Sequence, residues 1–117
     1  DLAANATATD GAVVAVHQSV EEFLSGAVRR VGLKPDRDQL APTLIVDPPR
    51  TGISRDAIDG ICRLEAPRIV YVSCDVATLA RDARRIVNSG YTLAQADAFD
   101  LFPNTPHVET VAVFNRT

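Results

Sequence analysis

Methionine and tryptophan are absent from this sequence of 117 residues, cysteine occurs twice, aromatic residues make up 5%, and there is no surplus of basic charge. Each shortage closes a route. Cys62 and Cys74 form no CxxC pair and share no Cys/His ligand spacing, so neither a disulfide framework nor a zinc site organises the chain, and no metal is expected. A net charge of -3 supplies no broad basic field, so any contact with nucleic acid must be local or come from sequence outside this chain. No run nears the roughly 18 consecutive apolar residues of a membrane span, and no basic stretch followed by an apolar one marks a signal peptide. The expectation is a soluble, cytoplasmic protein. The opening Asp1-Leu2-Ala3-Ala4-Asn5-Ala6 has no initiator methionine and enters in the middle of a helix-like pattern, which suggests part of a longer protein.

What is present is enough apolar residue, 46%, to bury one core in one domain. Short apolar runs alternate with segments of helical period, the pattern of strands buried on both faces by crossover helices. An α/β fold follows. The runs are Ala12 to Val16, Thr43 to Val46, Arg68 to Ser73, Tyr91 to Phe99 and Val108 to Phe114. A first helix carries Val20, Phe23, Leu24, Ala27, Val28 and Val31 on one stripe, with Ser19 and Glu22 in capping-box spacing and Gly32 and Pro35 as its stop. A second begins near Ser54, places Ala57, Ile58, Ile61 and Cys62 on one face, and ends by Pro67, so Cys62 reads as a core residue. In the third, Val76, Leu79, Ala80, Ala83, Ile86 and Val87 form the stripe, Arg81, Asp82, Arg84 and Arg85 fall elsewhere, and Gly90 is the stop. Lys34 to Leu40 reads as a surface loop and Asp100 to Pro106 as an irregular one.

In an open parallel sheet, ligands bind beyond the carboxyl ends of strands, which singles out two loops. Asp47-Pro48-Pro49-Arg50-Thr51-Gly52 follows the second run, and its two prolines stiffen a backbone that carries a carboxylate. It reads equally as a stiff turn or as a loop that grasps a cofactor or the edge of a base. Val72-Ser73-Cys74-Asp75 joins the third run to the third helix. A thiol there meets the positive end of the helix dipole and free backbone N–H groups, which stabilise a thiolate, while Asp75 opposes it. A lone cysteine at a strand end is as often structural as nucleophilic. A phosphatase loop is excluded, because position 80 is Ala rather than Arg and no glycine lies between Cys74 and Arg81.

Three segments together resemble the RNA (uracil-5)-methyltransferase family: Asp47 to Gly52, Ile69-Val70-Tyr71-Val72-Ser73-Cys74 with Ala77-Thr78-Leu79-Ala80-Arg81-Asp82, and Phe102-Pro103-Asn104-Thr105-Pro106-His107-Val108-Glu109. Their order and spacing match as well. The resemblance implies the C-terminal portion of a Rossmann-like class I methyltransferase domain, with a mostly parallel sheet and an antiparallel last strand. It implies S-adenosylmethionine as cofactor and a uridine of ribosomal or transfer RNA as substrate. By the family motifs Cys74 is the nucleophile and Glu109 the base, and the reversed last strand would bring Glu109 to the edge where Cys74 sits. Asp47 corresponds to a carboxylate on the cofactor side, and Gln18 to a position that contacts the adenine. His17 reads as a surface residue, and His107 as one that shapes the loop before Glu109. The chain departs from the family at Asp75-Val76, where Asn-Pro is the commonest form. It also has no counterpart of the Gly-rich cofactor loop, of the ribose-binding acid, or of the N-terminal RNA-binding domain.

Two other readings stand beside this one. An enzyme that methylates an exocyclic amine would use Asp47-Pro48-Pro49, but it prefers an aromatic ring where Arg50 stands and has no use for Cys74. A folded fragment without activity of its own would keep the motifs and bind no cofactor.

Overall fold

The computed structural model describes residues 2–9, 12–30 and 42–117. In chain order these give helices α1 (Leu2–Thr7) and α2 (Val20–Arg30), strand β1 (Thr43–Val46), helix α3 (Arg55–Arg63), strand β2 (Arg68–Ser73), helix α4 (Val76–Asn88) and strands β3 (Tyr91–Phe99) and β4 (Glu109–Arg116). The stop at Gly32 and Pro35 and the loop from Lys34 to Leu40 lie outside the described residues. No helix among the described residues is long and apolar enough to cross a membrane.

The four strands form one sheet in the order β1-β2-β4-β3. β1 pairs with β2 in parallel, whereas β4 runs antiparallel to both β2 and β3. The last strand is thus reversed as expected. Because it is inserted between its neighbours, only one of the three strand pairs is parallel, although β1, β2 and β3 all run in the same direction.

Local chemistry accounts for the helix ends. The Ser19 hydroxyl accepts from the Glu22 N–H at 3.1 Å while the Glu22 carboxylate accepts from the Ser19 N–H at 3.2 Å, a reciprocal capping box that opens α2. Ser54 caps α3 by accepting from the Ala57 N–H at 3.2 Å. That helix stops at Arg63, short of Pro67, because Leu64 caps it and Glu65 turns to a φ of 55°. At the end of α4, Gly90 takes a φ of 96°, the left-handed region that a side chain disfavours.

The core lies between one sheet face and helices α3 and α4. Alternation along β2 and β4 sends Ile69, Tyr71, Ala112 and Phe114 inward to meet Ile58, Ile61, Leu79 and Ile86. Gly60 lets α2 approach α3, since a Cβ there would lie 3.0 Å from Leu24. Three expectations change here. Ala12 to Val16 forms no strand, because a turn claims its start: the Ala12 N–H donates to the Thr9 carbonyl at 3.0 Å and the Val13 N–H to the Thr9 hydroxyl at 3.1 Å. Only β2 and β4 have a buried face, whereas β1 is at most half-buried, β3 is exposed beyond Tyr91, and α2 packs mainly on α3. Val20 and Phe23 therefore stay exposed on α2 while Leu24 is buried. Finally, Asp82 is fully buried. It lies three residues after Leu79 and four before Ile86, on the apolar stripe from which sequence reading excluded it.

Candidate active site

Both loops singled out by sequence leave the same sheet edge. β1 ends at Val46, paired with Tyr71, so Asp47 emerges beside the last residues of β2. β2 ends at Ser73, paired with Thr110 of the antiparallel β4. Cys74 is the first residue beyond β2 and Glu109 the first residue of β4, so the two flank the last pair of this ladder at one edge. Cys74, Glu109 and His107 are all half-buried.

Asp47 and Gln18 meet elsewhere on this edge. Both are exposed and line a cleft of about 670 Å³ whose walls include Val14, Ile45, Pro48 and Phe23. His17 is exposed and does not line it. Cys74 and Glu109 are not among its lining residues, so the structure sorts the four candidates into two adjacent pairs.

The turn bearing Cys74 is fixed by short hydrogen bonds. Ser73 is buried, and its hydroxyl donates to the Asp75 carbonyl at 2.8 Å and accepts from the Asp75 N–H at 3.1 Å. Asp75 then caps α4, its carboxylate accepting from the Thr78 N–H at 2.7 Å. That bond holds the Asp75 carboxyl below its ordinary range, with Arg50 a smaller influence in the same direction. The family departure at this position thus supplies an N-cap, and its charge is turned into the helix end. The other cysteine has a different setting. Burial pushes the Cys62 thiol up, a hydrogen bond with Ser89 works against this, and the Asp59 charge adds to it.

A buried network, which sequence reading missed, ties the two loops together. Asp82 Oδ2 accepts from the Ile53 N–H at 2.9 Å and from the Tyr71 hydroxyl at 2.8 Å. Asp82 Oδ1 accepts from Arg81 Nε at 2.9 Å, and Arg81 Nη2 donates at 2.9 Å to the Thr51 carbonyl. The Thr78 hydroxyl donates to the Arg50 carbonyl at 2.9 Å. Three side chains of one helix thereby grip the backbone of residues 50–53, and Tyr71 anchors the grip to β2. Burial and the bond to Asp82 push the Tyr71 hydroxyl well above its ordinary range, so it remains a donor. The available signal was the spacing of Thr78, Arg81 and Asp82 at i, i+3 and i+4, which puts three polar groups on one helix face.

Two predictions follow from this geometry. Gly52 has a φ of 79°, and a Cβ there would collide with Thr78, Arg81 and Asp82. Gly52→Ala should therefore cost about 2–4 kcal/mol in urea unfolding, from backbone strain plus overpacking. For Asp75 the folded-state carboxyl lies below its ordinary value of 3.8. Its stabilisation is thus complete above that pH and is lost as pH falls through the lower folded value. Asp75→Ala should lower the thermal midpoint at pH 7 and flatten the acid limb below pH 4, while Asp75→Asn should recover the neutral-pH midpoint. Equal acid limbs for Asp75→Ala and the unsubstituted protein would contradict this.

A model of the tRNA (Uracil-5-)-methyltransferase family matches residues 16–117. An uncharacterized RNA methyltransferase of Fusobacterium nucleatum is 37% identical over 110 residues, covering 92% of this chain and 24% of that protein. A 23S rRNA (uracil(1939)-C(5))-methyltransferase of Pseudomonas putida is 52% identical over 71 residues, covering 61% of this chain and 16% of that protein. Among solved structures, a tRNA (uracil-54, C5)-methyltransferase of Pyrococcus abyssi in complex with S-adenosyl-L-homocysteine superposes with a TM-score of 0.56 at 43% identity. That match covers 62% of this chain and 18% of the other. The chain spans about a quarter or less of the length of these relatives.

Proposed function

Since this chain belongs to the tRNA (uracil-5-)-methyltransferase family, we propose that it forms the uracil-handling edge of an enzyme that methylates C5 of a uridine in RNA. The single observation that supports the reading is the β2–β4 register, which ends at Ser73 and Thr110, with Cys74 and Glu109 the next residue along each chain segment. Uracil C5 is a poor nucleophile by itself. Addition of the Cys74 thiolate to C6 forms the S–C6 bond and moves an electron pair into an enolate with density at C5. C5 then takes a methyl group, the Glu109 carboxylate removes the C5 proton, and the pair left on C5 re-forms the C5–C6 bond and expels the thiolate.

S-adenosylmethionine supplies the methyl group as an electrophilic sulfonium. The cleft fits it chemically, because apolar walls suit a nucleoside and the Asp47 carboxylate at the rim attracts a cation. Gln18 on the same cleft has the donors and acceptors to meet an adenine edge. Transfer to an exocyclic amine would leave Cys74 without a role.

The fold reading accompanies the chemical one. The order β1-β2-β4-β3 with a reversed β4 suits the C-terminal portion of a Rossmann-like methyltransferase domain. The first strands, the Gly-rich cofactor loop and the RNA-binding domain would then come from sequence outside this chain, and the enzyme would work on RNA in the cytoplasm.

In the enzyme that carries this chain, Cys74→Ala is expected to cut methyl transfer by at least about 10³-fold. Glu109→Gln is expected to methylate once and then retain the RNA covalently, seen as a slow band in a denaturing gel. Turnover by Cys74→Ala at the unsubstituted rate would overturn the mechanism.

A further inference from the structure

On the helix side of the loop after β1 lies a second depression, about 380 Å³, formed by residues 51–54 and the side chains of Arg55, Arg81 and Arg85. No carboxylate lines it. Among the described residues the ion pairs are Arg81 with Asp82 and Arg116 with Glu65, and neither Arg55 nor Arg85 takes part in one. Arg81 is held from one side only. Its Nε and Nη2 are engaged by Asp82 and the Thr51 carbonyl, which leaves Nη1 available on a side chain 47% exposed. The start of α3 adds to the same field. Ser54 caps the Ala57 N–H, while the N–H groups of Arg55 and Asp56 have no intrahelical acceptor and sit at the positive end of the helix, offset in part by the Asp56 side chain in the same turn. Glu21, which accepts from the Ser54 hydroxyl at 2.9 Å, lines the larger cleft instead.

In a chain of net charge -3, Arg55 and Arg85 gather around one depression beside Arg81, which Asp82 engages from behind, and together they form a local anion site. Its position says which anion. α4 starts two residues after Cys74, and at 1.5 Å per residue Arg81 lies about 8 Å along that helix from its first residue. An RNA strand covers that distance within a few nucleotides of a uridine held at Cys74. We propose that the depression bounded by Arg55, Arg81 and Arg85 holds a backbone phosphate of the substrate RNA, next to the target uridine. The proposal rests on the uracil-methylation reading for its choice of RNA, and on the depression itself for its choice of phosphate. The site gives the strand a fixed register without reading sequence.

The test uses the enzyme that carries this chain and a short labelled oligouridylate, with affinity measured by fluorescence anisotropy across a range of NaCl concentrations. Arg55→Ala/Arg85→Ala is expected to weaken binding about tenfold and to lower the log–log salt slope by about 1. Arg63→Ala/Arg68→Ala removes the same charge from the far end of α3 and the opposite sheet edge, and should change affinity less than about twofold on the same counterion argument. Arg55→Lys/Arg85→Lys, which keeps the charge, should recover the slope. Equal losses in the two alanine pairs would mean diffuse attraction and overturn the site. So would inorganic phosphate shifting the arginine resonances while RNA affinity stays unchanged in Arg55→Ala/Arg85→Ala. The Cys74 adduct, scored on RNA containing 5-fluorouridine at saturating concentration, separates the two readings. Its absence from the unsubstituted enzyme overturns the uracil chemistry and leaves the salt slopes to decide the phosphate site.

Discussion

The Asp82 carboxylate accepts from the backbone of one loop, the hydroxyl of a core strand and the guanidinium of its own helix, all without contact with solvent. A charge removed from water is tolerated only where its lone pairs are met, and here both oxygens are engaged. The same bonds decide where the site residues stand. Asp47 leaves β1 on a segment whose next turn is gripped by α4, and Cys74 precedes that same helix by two residues. The two loops cannot shift separately without breaking a bond to Asp82, Arg81 or Thr78. Gly52 belongs to this constraint, since the three side chains fill the space a Cβ would need.

Around that anchor the edge divides its tasks by environment. The cleft that holds Asp47 and Gln18 is walled largely by apolar side chains. The Cys74–Glu109 pair emerges from neighbouring strands where the backbone is fixed by the ladder. Arg55, Arg81 and Arg85 gather on the helix side of the loop. On the proposed reading, the cleft would take the cofactor, Cys74 and Glu109 the uracil, and the arginines a phosphate of the strand. The two cysteines follow the same logic, for Cys62 packs against the core while Cys74 sits at a strand-to-helix turn.

Sequence reading worked where the determining interactions were local. Ser19 with Glu22, and Ser54 with Ala57, bond within four residues, so their caps were visible in the spelling of the chain. The strands from Thr43, Arg68 and Tyr91 matched their apolar runs for the same reason, and the turn carrying Cys74 fell between strand and helix as read. It failed where a partner distant in sequence decides. Asp82 looks like a surface acid until Tyr71 and Ile53 are placed around it. Ala12 to Val16 has a strand's composition, but a strand needs a neighbour, and Thr9 captured its first N–H groups instead. The motif residues Cys74, Glu109, Asp47 and Gln18 were legible as candidates, while the grip of Thr78 and Arg81 on residues 50–51 needed the three-dimensional arrangement.

The insertion of β4 between β2 and β3 also bears on how the chain is assembled in time. Among the described strands, β3 has β4 as its sole neighbour, so its backbone groups find no ladder until the C-terminal strand has been made. During synthesis β1, α3, β2 and α4 can associate early, whereas β3 must wait with one edge of β2 still open. The strand that carries Glu109 is thus also the one that closes the sheet. A ribosome that stops short of it leaves the facing edges of β2 and β3 exposed to other chains, and Glu109 arrives in the same late step that joins them.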